Sequence, residues 1–203
     1  VKDSVIIYSG GMDSTVLLYE KKEEIGLAIS FNYGSKHNDM EFKYAKINTE
    51  NLGIKHIRID MRDIFKNFKS SLLSGDIPEG HYEDESMKST VVPFRNGIML
   101  SIAAGIAESN GFKKVLIANH FGDHAIYPDC RHIFIGAMKD AVLFGTYSEI
   151  KIDAPYTLIS KKDIAQKGKN IGVDFNLTYS CYKGTEDHCG KCGTCVERIE
   201  ALS

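Results

Sequence analysis

Short apolar runs recur along this 203-residue chain at residues 5–8, 27–31, 56–59, 114–118 and 149–152, with helical patterns between several of them. Alternation of that kind predicts an α/β fold with a mostly parallel sheet, since each parallel crossover returns the chain through a helix and both sheet faces end up covered. Residues 39–52 set Phe42, Ala45 and Leu52 near helical spacing and stop at Gly53, which suits a C-cap. Residues 96–109 carry Ile98, Ile102 and Ile106 with alanines between them, the pattern of a buried helix, and end at Asn110-Gly111. From residue 70 to 90, Ser, Gly, Pro and the acidic run Glu83-Asp84-Glu85 replace periodic apolar positions. That stretch reads as a long loop, either a lid or a solvated connector. No internal repeat is present.

The first apolar run leads straight into Tyr8-Ser9-Gly10-Gly11-Met12-Asp13-Ser14 and then a helical pattern, so the segment reads as strand, loop, helix. Adjacent glycines let the backbone turn tightly and approach a ligand, and the following helix start offers unpaired N–H groups and a positive dipole end to an anion. Ser9 and Ser14 add hydroxyls, and Asp13 suits a metal ion. The competing reading is an ordinary strand-to-helix turn. Neither the P-loop nor the dinucleotide glycine pattern is present. The stretch resembles the pyrophosphate-binding Ser-Gly-Gly-x-Asp-Ser loop of the ATP pyrophosphatase superfamily, which implies cleavage of ATP between its α- and β-phosphates to adenylate an oxygen.

A net charge of −2 gives no global basic field, which argues against a protein held mainly by nucleic-acid phosphates. No apolar run approaches the length of a bilayer span and the N-terminus lacks a signal-peptide pattern, so we expect a cytoplasmic protein with no membrane partner. Val1 stands where an initiator Met is expected, so we expect a trimmed or altered extreme N-terminus.

Cys181, Cys189, Cys192 and Cys195 cluster near the C-terminus with two overlapping Cys-x-x-Cys spacings. Four thiolates suit tetrahedral Zn2+, and Gly190 and Gly193 relieve the backbone where N–H groups bend toward sulfur. An iron-sulfur cluster and a redox pair use similar spacing, whereas a reducing compartment disfavours disulfides. His188 is an alternative to Cys181, but its adjacency to Cys189 makes joint coordination awkward. Cys130 lacks cluster spacing and reads as a packed residue. His120, Asp123, His124 and His132 suggest a metal site by type, yet no simple spacing links them and loop histidines are the better reading.

Three further segments are Phe31-Asn32-Tyr33-Gly34-Ser35-Lys36-His37, Val92-Pro93-Phe94-Arg95-Asn96 and Tyr127-Pro128-Asp129-Cys130-Arg131. With the glycine loop and the cysteines, this order resembles the QueC family of 7-cyano-7-deazaguanine synthases along essentially the whole chain. The resemblance implies an adenine nucleotide alpha-hydrolase-like, Rossmann-like domain over residues 1–155 and a helical, zinc-binding segment over residues 156–203. It also implies a homodimer that converts 7-carboxy-7-deazaguanine and ammonia to a nitrile with ATP and Mg2+, in queuosine biosynthesis, without binding nucleic acid directly. A phosphate-loop RNA-thiolating enzyme and a zinc-centred binding module are the competing readings.

On this resemblance Ser9, Asp13, Ser14 and Arg95 are the catalytic candidates. Tyr8, Ser9, Gly10, Gly11, Met12, Asp13, Ser14, Lys36, His37, Arg95 and Asn96 are candidates for the nucleotide, and Asp123, Tyr127, Asp129 and Arg131 for the substrate. Each has a plainer reading: Arg95-Asn96 as a helix cap, Lys36-His37 as solvated loop residues, and Asp129 with Arg131 as a surface ion pair. Phe94 departs from the family pattern, which has glycine between Pro and Arg, and residues 118–124 depart from the commonest form of their loop.

Overall fold

The structure is a computed structural model that describes residues 1–81 and 85–203, so Glu83 and Asp84 of the acidic run lie outside the described residues. Five parallel strands are ordered β3-β2-β1-β4-β5: β1 (Ser4–Ile7), β2 (Ile25–Asn32), β3 (Lys55–Asp60), β4 (Lys114–Leu116) and β5 (Lys151–Asp153). The expected apolar runs supply all of these. Central β1 is apolar on both sides, while β3 at the edge has no fully buried residue: His56, Ile57 and Ile59 are partly buried and Lys55, Arg58 and Asp60 exposed.

Period-two alternation sends β1 side chains into separate cores. Val5 joins Leu100 and Ala103 of α4 (Arg95–Ser109) and Ile135 of α5 (His132–Gly145) on one face. Ile6 joins Val16 and Leu17 of α1 (Met12–Glu20), Ala45 of α2 (Asn38–Asn51) and Ile164 of α6 (Lys161–Asn170) on the other. Fully burying such a side chain contributes roughly 1.5–3 kcal/mol, so the two layers lock the sheet between helices. The remaining helices are the short α3 (Arg62–Phe65) and the C-terminal α7 (Gly193–Leu202).

The stretch Glu85–Ser109 has, by length and composition, the apolarity of a membrane span, which the shorter uninterrupted runs did not suggest. Its window is half buried inside the fold, and the backbone breaks before α4, where Phe94 adopts φ 56°. It is therefore built like the core helix of a globular domain.

The described parts of the 70–90 loop are not a solvated connector. Leu72, Met87 and Thr90 are buried, Glu79 pairs antiparallel with Cys192, and the Gly80 N–H donates to the Lys191 carbonyl at 3.1 Å. Irregular spacing of these apolar residues hid their burial from a periodicity argument.

Candidate active site

The sheet order changes direction between β1 and β4, and the chain leaving their C-terminal ends lines a cavity of about 220 Å³. Open parallel sheets bind ligands at such a switch point. Residues 8–11 make the turn from β1 to α1. Gly10 has φ 88°, and a Cβ there would lie 2.3 Å from the Glu41 carbonyl oxygen, so α2 packs directly on the turn. Ser9 Oγ accepts the Gly11 N–H at 3.0 Å and meets Ser14 Oγ at 3.0 Å. The first α1 acceptor used inside the helix is Gly11, which takes the Thr15 N–H. Met12, Asp13 and Ser14 therefore start the helix without intrahelical acceptors, and the dipole there favours an anion.

Beside this turn lies a compact charge cluster. Lys161 Nζ, at the start of α6, is 3.2 Å from Asp13 Oδ2 and 2.8 Å from Glu197 Oε2. Burial alone would lower the lysine pKa, but Asp13, Glu197 and Asp123 outweigh it and hold the ammonium above the ordinary lysine range. His120 is 2% exposed; its Nδ1 accepts the Gly122 N–H at 3.1 Å, which places the proton on Nε2. Nε2 faces carboxylate oxygens of Asp123 at 3.5 Å and of Asp13 and Glu197 at 3.8 Å. Asp13 Oδ1 is buried with no hydrogen-bond partner among the described residues.

The opposite wall is formed by Tyr33, His37, Glu41 and Arg95. Arg95 Nη1 donates to Tyr33 Oη at 3.0 Å, and Tyr33 Oη meets His37 Nε2 at 3.2 Å. His37 Nε2 lies 3.8 Å from Glu41 Oε2. Burial, aided by the Arg95 charge, lowers His37 to about 3, so the imidazole is neutral. Burial raises Glu41 to about 8 even though Arg95 pulls it down. Among the described residues Arg95 has no carboxylate within 4.0 Å.

The four cysteine sulfurs of the C-terminal cluster lie within 4.8 Å of one another. Cys189 Sγ and Cys195 Sγ are 3.9 Å apart, and a tetrahedral zinc–thiolate site separates its sulfurs by about 3.8 Å, so the donor set fits Zn2+. Gly190 turns the backbone at φ 69°, and the Lys191 and Cys192 N–H groups donate to Cys189 Sγ at 3.5 and 3.3 Å. The cluster is joined to the cavity through Tyr179, Ser180, Tyr182 and Thr194, which line it.

Most of the residues anticipated from sequence converge here. Tyr8, Ser9, Gly11, Met12, Asp13, Ser14, His37, Arg95, Asn96, Asp123 and Tyr127 line the cavity. Gly10 lies behind it against α2. Lys36 is exposed and donates to the Gly75 carbonyl. Asp129 is buried and accepts the Asn96 N–H at 2.8 Å, which caps α4, and Arg131 is exposed, its Nε donating to the His124 carbonyl at 3.0 Å. Neither of these two lines the cavity. Asn96 Nδ2 donates to the buried Cys130 Sγ at 3.1 Å.

Sequence reasoning missed Glu41, Lys161 and Glu197 and gave His120 no role. Lys161 had a readable sign, because Ser160 and Asp163 form a helix-start pattern in which Ser160 Oγ accepts the Asp163 N–H at 3.2 Å. Glu41 and Glu197 sit among other helical charges and carry no local signal.

The family model described as queuosine biosynthesis protein QueC matches residues 3–203. A 7-cyano-7-deazaguanine synthase from Porphyromonas gingivalis is 59% identical over 203 residues, covering 99% of this chain and 92% of its own. One from Desulfotalea psychrophila is 52% identical over 204 residues, covering 98% and 93%, and one from Methanoregula boonei is 46% identical over 204 residues, also covering 98% and 93%. Among solved structures, the NMN synthetase from Francisella tularensis matches with a TM-score of 0.54 at 17% identity, covering 92% of this chain and 69% of that one. That likeness carries the fold alone.

Proposed function

The chain belongs to the queuosine biosynthesis QueC family, and from that membership we propose that it makes 7-cyano-7-deazaguanine from 7-carboxy-7-deazaguanine, ammonia and ATP. A carboxylate resists ammonia because its leaving group is oxide. Attack of one carboxylate oxygen on the α-phosphorus of ATP expels pyrophosphate and leaves an acyl adenylate. Ammonia displaces AMP to give the amide. A second attack, by the amide oxygen on another ATP, again expels pyrophosphate, and loss of AMP and a proton leaves the nitrile.

The observation that carries this reading is one cavity holding both an anion cradle and a separate cation. The Ser9 and Ser14 hydroxyls and the start of α1 receive the departing pyrophosphate. Lys161, now between Asp13 and Glu197, adds positive charge on the phosphate side. Arg95 faces the cavity with no carboxylate within 4.0 Å among the described residues and orients the substrate's acid group, a role that suits its planar donors.

The free Asp13 Oδ1 fits a magnesium ion, which supplies charge neutralisation to the phosphates when bound. Cys181, Cys189, Cys192 and Cys195 hold a structural zinc. On α5 the side chains of Ile133 and Phe144 are 72% and 83% exposed, which supports a homodimer formed through that helix. A cytoplasmic location fits the use of ATP and of free thiols.

The test is mass spectrometry of a reaction holding the protein, magnesium-ATP, ammonium and 7-carboxy-7-deazaguanine, with AMP and pyrophosphate followed in parallel. We expect the nitrile. AMP and pyrophosphate without nitrile would mean that a different acid is the substrate or that the second half-reaction is missing, and no ATP cleavage would reject adenylation.

A further inference from the structure

Building on that reaction, we propose that Glu41 determines base specificity: its carboxylate accepts the adjacent ring N–H and exocyclic N–H2 of the aminopyrimidinone edge, while Arg95 receives the base's acid group.

The placement is specific. Glu41 leaves α2, the helix seated on Gly10, so its position is fixed relative to the phosphate turn. Its side chain is 18% exposed and lines the cavity. The nearest ring nitrogen, His37 Nε2 at the N-cap of α2, is 3.8 Å away, beyond hydrogen-bond distance, and that imidazole is neutral; the carboxyl's other polar neighbours are the neutral Asn38 side chain and, farther off, the Arg95 charge. The relay through Tyr33 and His37 spaces Glu41 from Arg95 along one wall. Asp13 and Asp123 are committed elsewhere, around Lys161 and His120 on the phosphate side. Of the three acidic side chains that line the cavity among the described residues, Glu41 is therefore the one available to the base.

The chemistry of the edge supplies the discrimination. The buried carboxyl is neutral in the free chain and ionises as the base's two N–H groups meet it; it then has two acceptor oxygens and no donor, matching the two neighbouring donors of a 2-amino-4-oxopyrimidine ring. Adenine presents a ring acceptor beside its amine, so lone pairs would face each other and the adenine of ATP is turned away from this end of the cavity. An acid group at the far end of the same bicyclic base then meets the Arg95 guanidinium, which forks onto carboxylates.

The experiment compares wild type with Glu41→Gln, by calorimetric binding of 7-carboxy-7-deazaguanine and by steady-state kinetics. Glutamine keeps the shape but replaces one acceptor with a donor. We expect affinity and kcat/KM for the base to fall about 100-fold, with KM for ATP changed by less than about twofold. We also expect the variant to lose the wild-type preference over the analogue lacking the exocyclic amine. Raised KM for ATP with unchanged base affinity would move Glu41 to the nucleotide and overturn the proposal, as would equal discrimination by both proteins. If Glu41→Gln does not fold, Glu41→Asp, which retracts the acceptors by one methylene, is expected to show the same split. Wild-type binding of the base without nitrile would reject the proposed reaction and leave Glu41 standing, whereas no binding by wild type would reject both.

Discussion

The backbone N–H of Tyr179 donates to the carbonyl of Gly10 at 3.0 Å, tying the segment that enters the cysteine cluster to the phosphate turn. Cys181 follows two residues later, and Thr194 Oγ1, between two other cysteines, donates to the Ser180 carbonyl at 2.7 Å. The cysteine cluster and the glycine turn are thus tied together by hydrogen bonds to backbone carbonyls. We therefore expect chelation to release one zinc per chain and weaken ATP binding by more than about tenfold, because binding in structural zinc sites is worth about 10–16 kcal/mol, against a domain stability of roughly 5–15 kcal/mol. Metal analysis beside nucleotide titration checks this; a zinc-free protein with unchanged ATP affinity would separate the two.

Removing the cradle's donors should spare the fold. Ser9 and Ser14 bond mainly to each other and to Gly11, so Ser9→Ala and Ser14→Ala each cost about 1 kcal/mol of stability. Both are expected to reduce turnover at least 100-fold, the loss that follows from their proposed role as donors to the departing pyrophosphate. Pyrophosphate release measured beside thermal melting distinguishes the two effects.

Lys161 is the cation between two carboxylates, and only 10% of its side chain is exposed. Lys161→Met would leave Asp13 and Glu197 facing each other around His120 without that charge. Breaking a buried pair costs about 3–5 kcal/mol, so we expect a destabilisation near the lower figure. In Glu197→Gln the ammonium keeps Asp13, and the loss should be smaller. Urea unfolding of both variants tests the order.

Much of this was legible in the chain. Pattern alone located the strands, because central parallel strands are apolar on both faces, and the glycine loop announced itself through Gly10, whose φ and contact with α2 exclude a Cβ. What stayed hidden depends on long-range contact. Glu41 and Glu197 look like surface charges until α2 brings the first onto the cavity and α7 brings the second onto Lys161. Asp129 looked like a ligand group, yet it is buried outside the cavity lining with its Oδ2 accepting the Asn96 N–H. Leu72 and Met87 sat in a stretch with no period and are buried all the same.

Phe94 stands where the related pattern has glycine, and its φ of 56° is the left-handed conformation that glycine adopts freely. Its ring meets Phe134 edge-on at 5.5 Å, and a Cβ on Gly97 would lie 2.3 Å from that ring. Phe94→Gly gains about 1 kcal/mol from relieved strain and loses a similar aromatic contact, so we expect little net change. Gly97→Ala should destabilise wild type through the clash. In the Phe94→Gly background it should stabilise by up to about 1 kcal/mol, the helix preference of alanine over glycine. Additive effects in this double-mutant cycle would rule out the contact.

Glu41 also makes a prediction about stability and pH that needs no substrate. Its carboxyl sits at about 8 in the folded chain against an ordinary 4.5, because burial penalises the charged form. Between those values the native state binds more protons than the unfolded state, so stability falls as pH rises, by up to about 1.4 kcal/mol per unit. His37 acts in the opposite sense: held near 3 when folded, it makes stability rise with pH up to its ordinary 6.5. Comparing wild type with Glu41→Gln cancels that contribution, along with the fixed charge of Arg95 and the neutral Asn38 beside the carboxyl. The variant should therefore gain on wild type progressively from about pH 5 to about pH 8 in urea titrations. Adding the base should flatten the difference, because N–H donors on the carboxylate hold it ionised. Parallel stability curves without ligand would mean that Glu41 is not held in its neutral form.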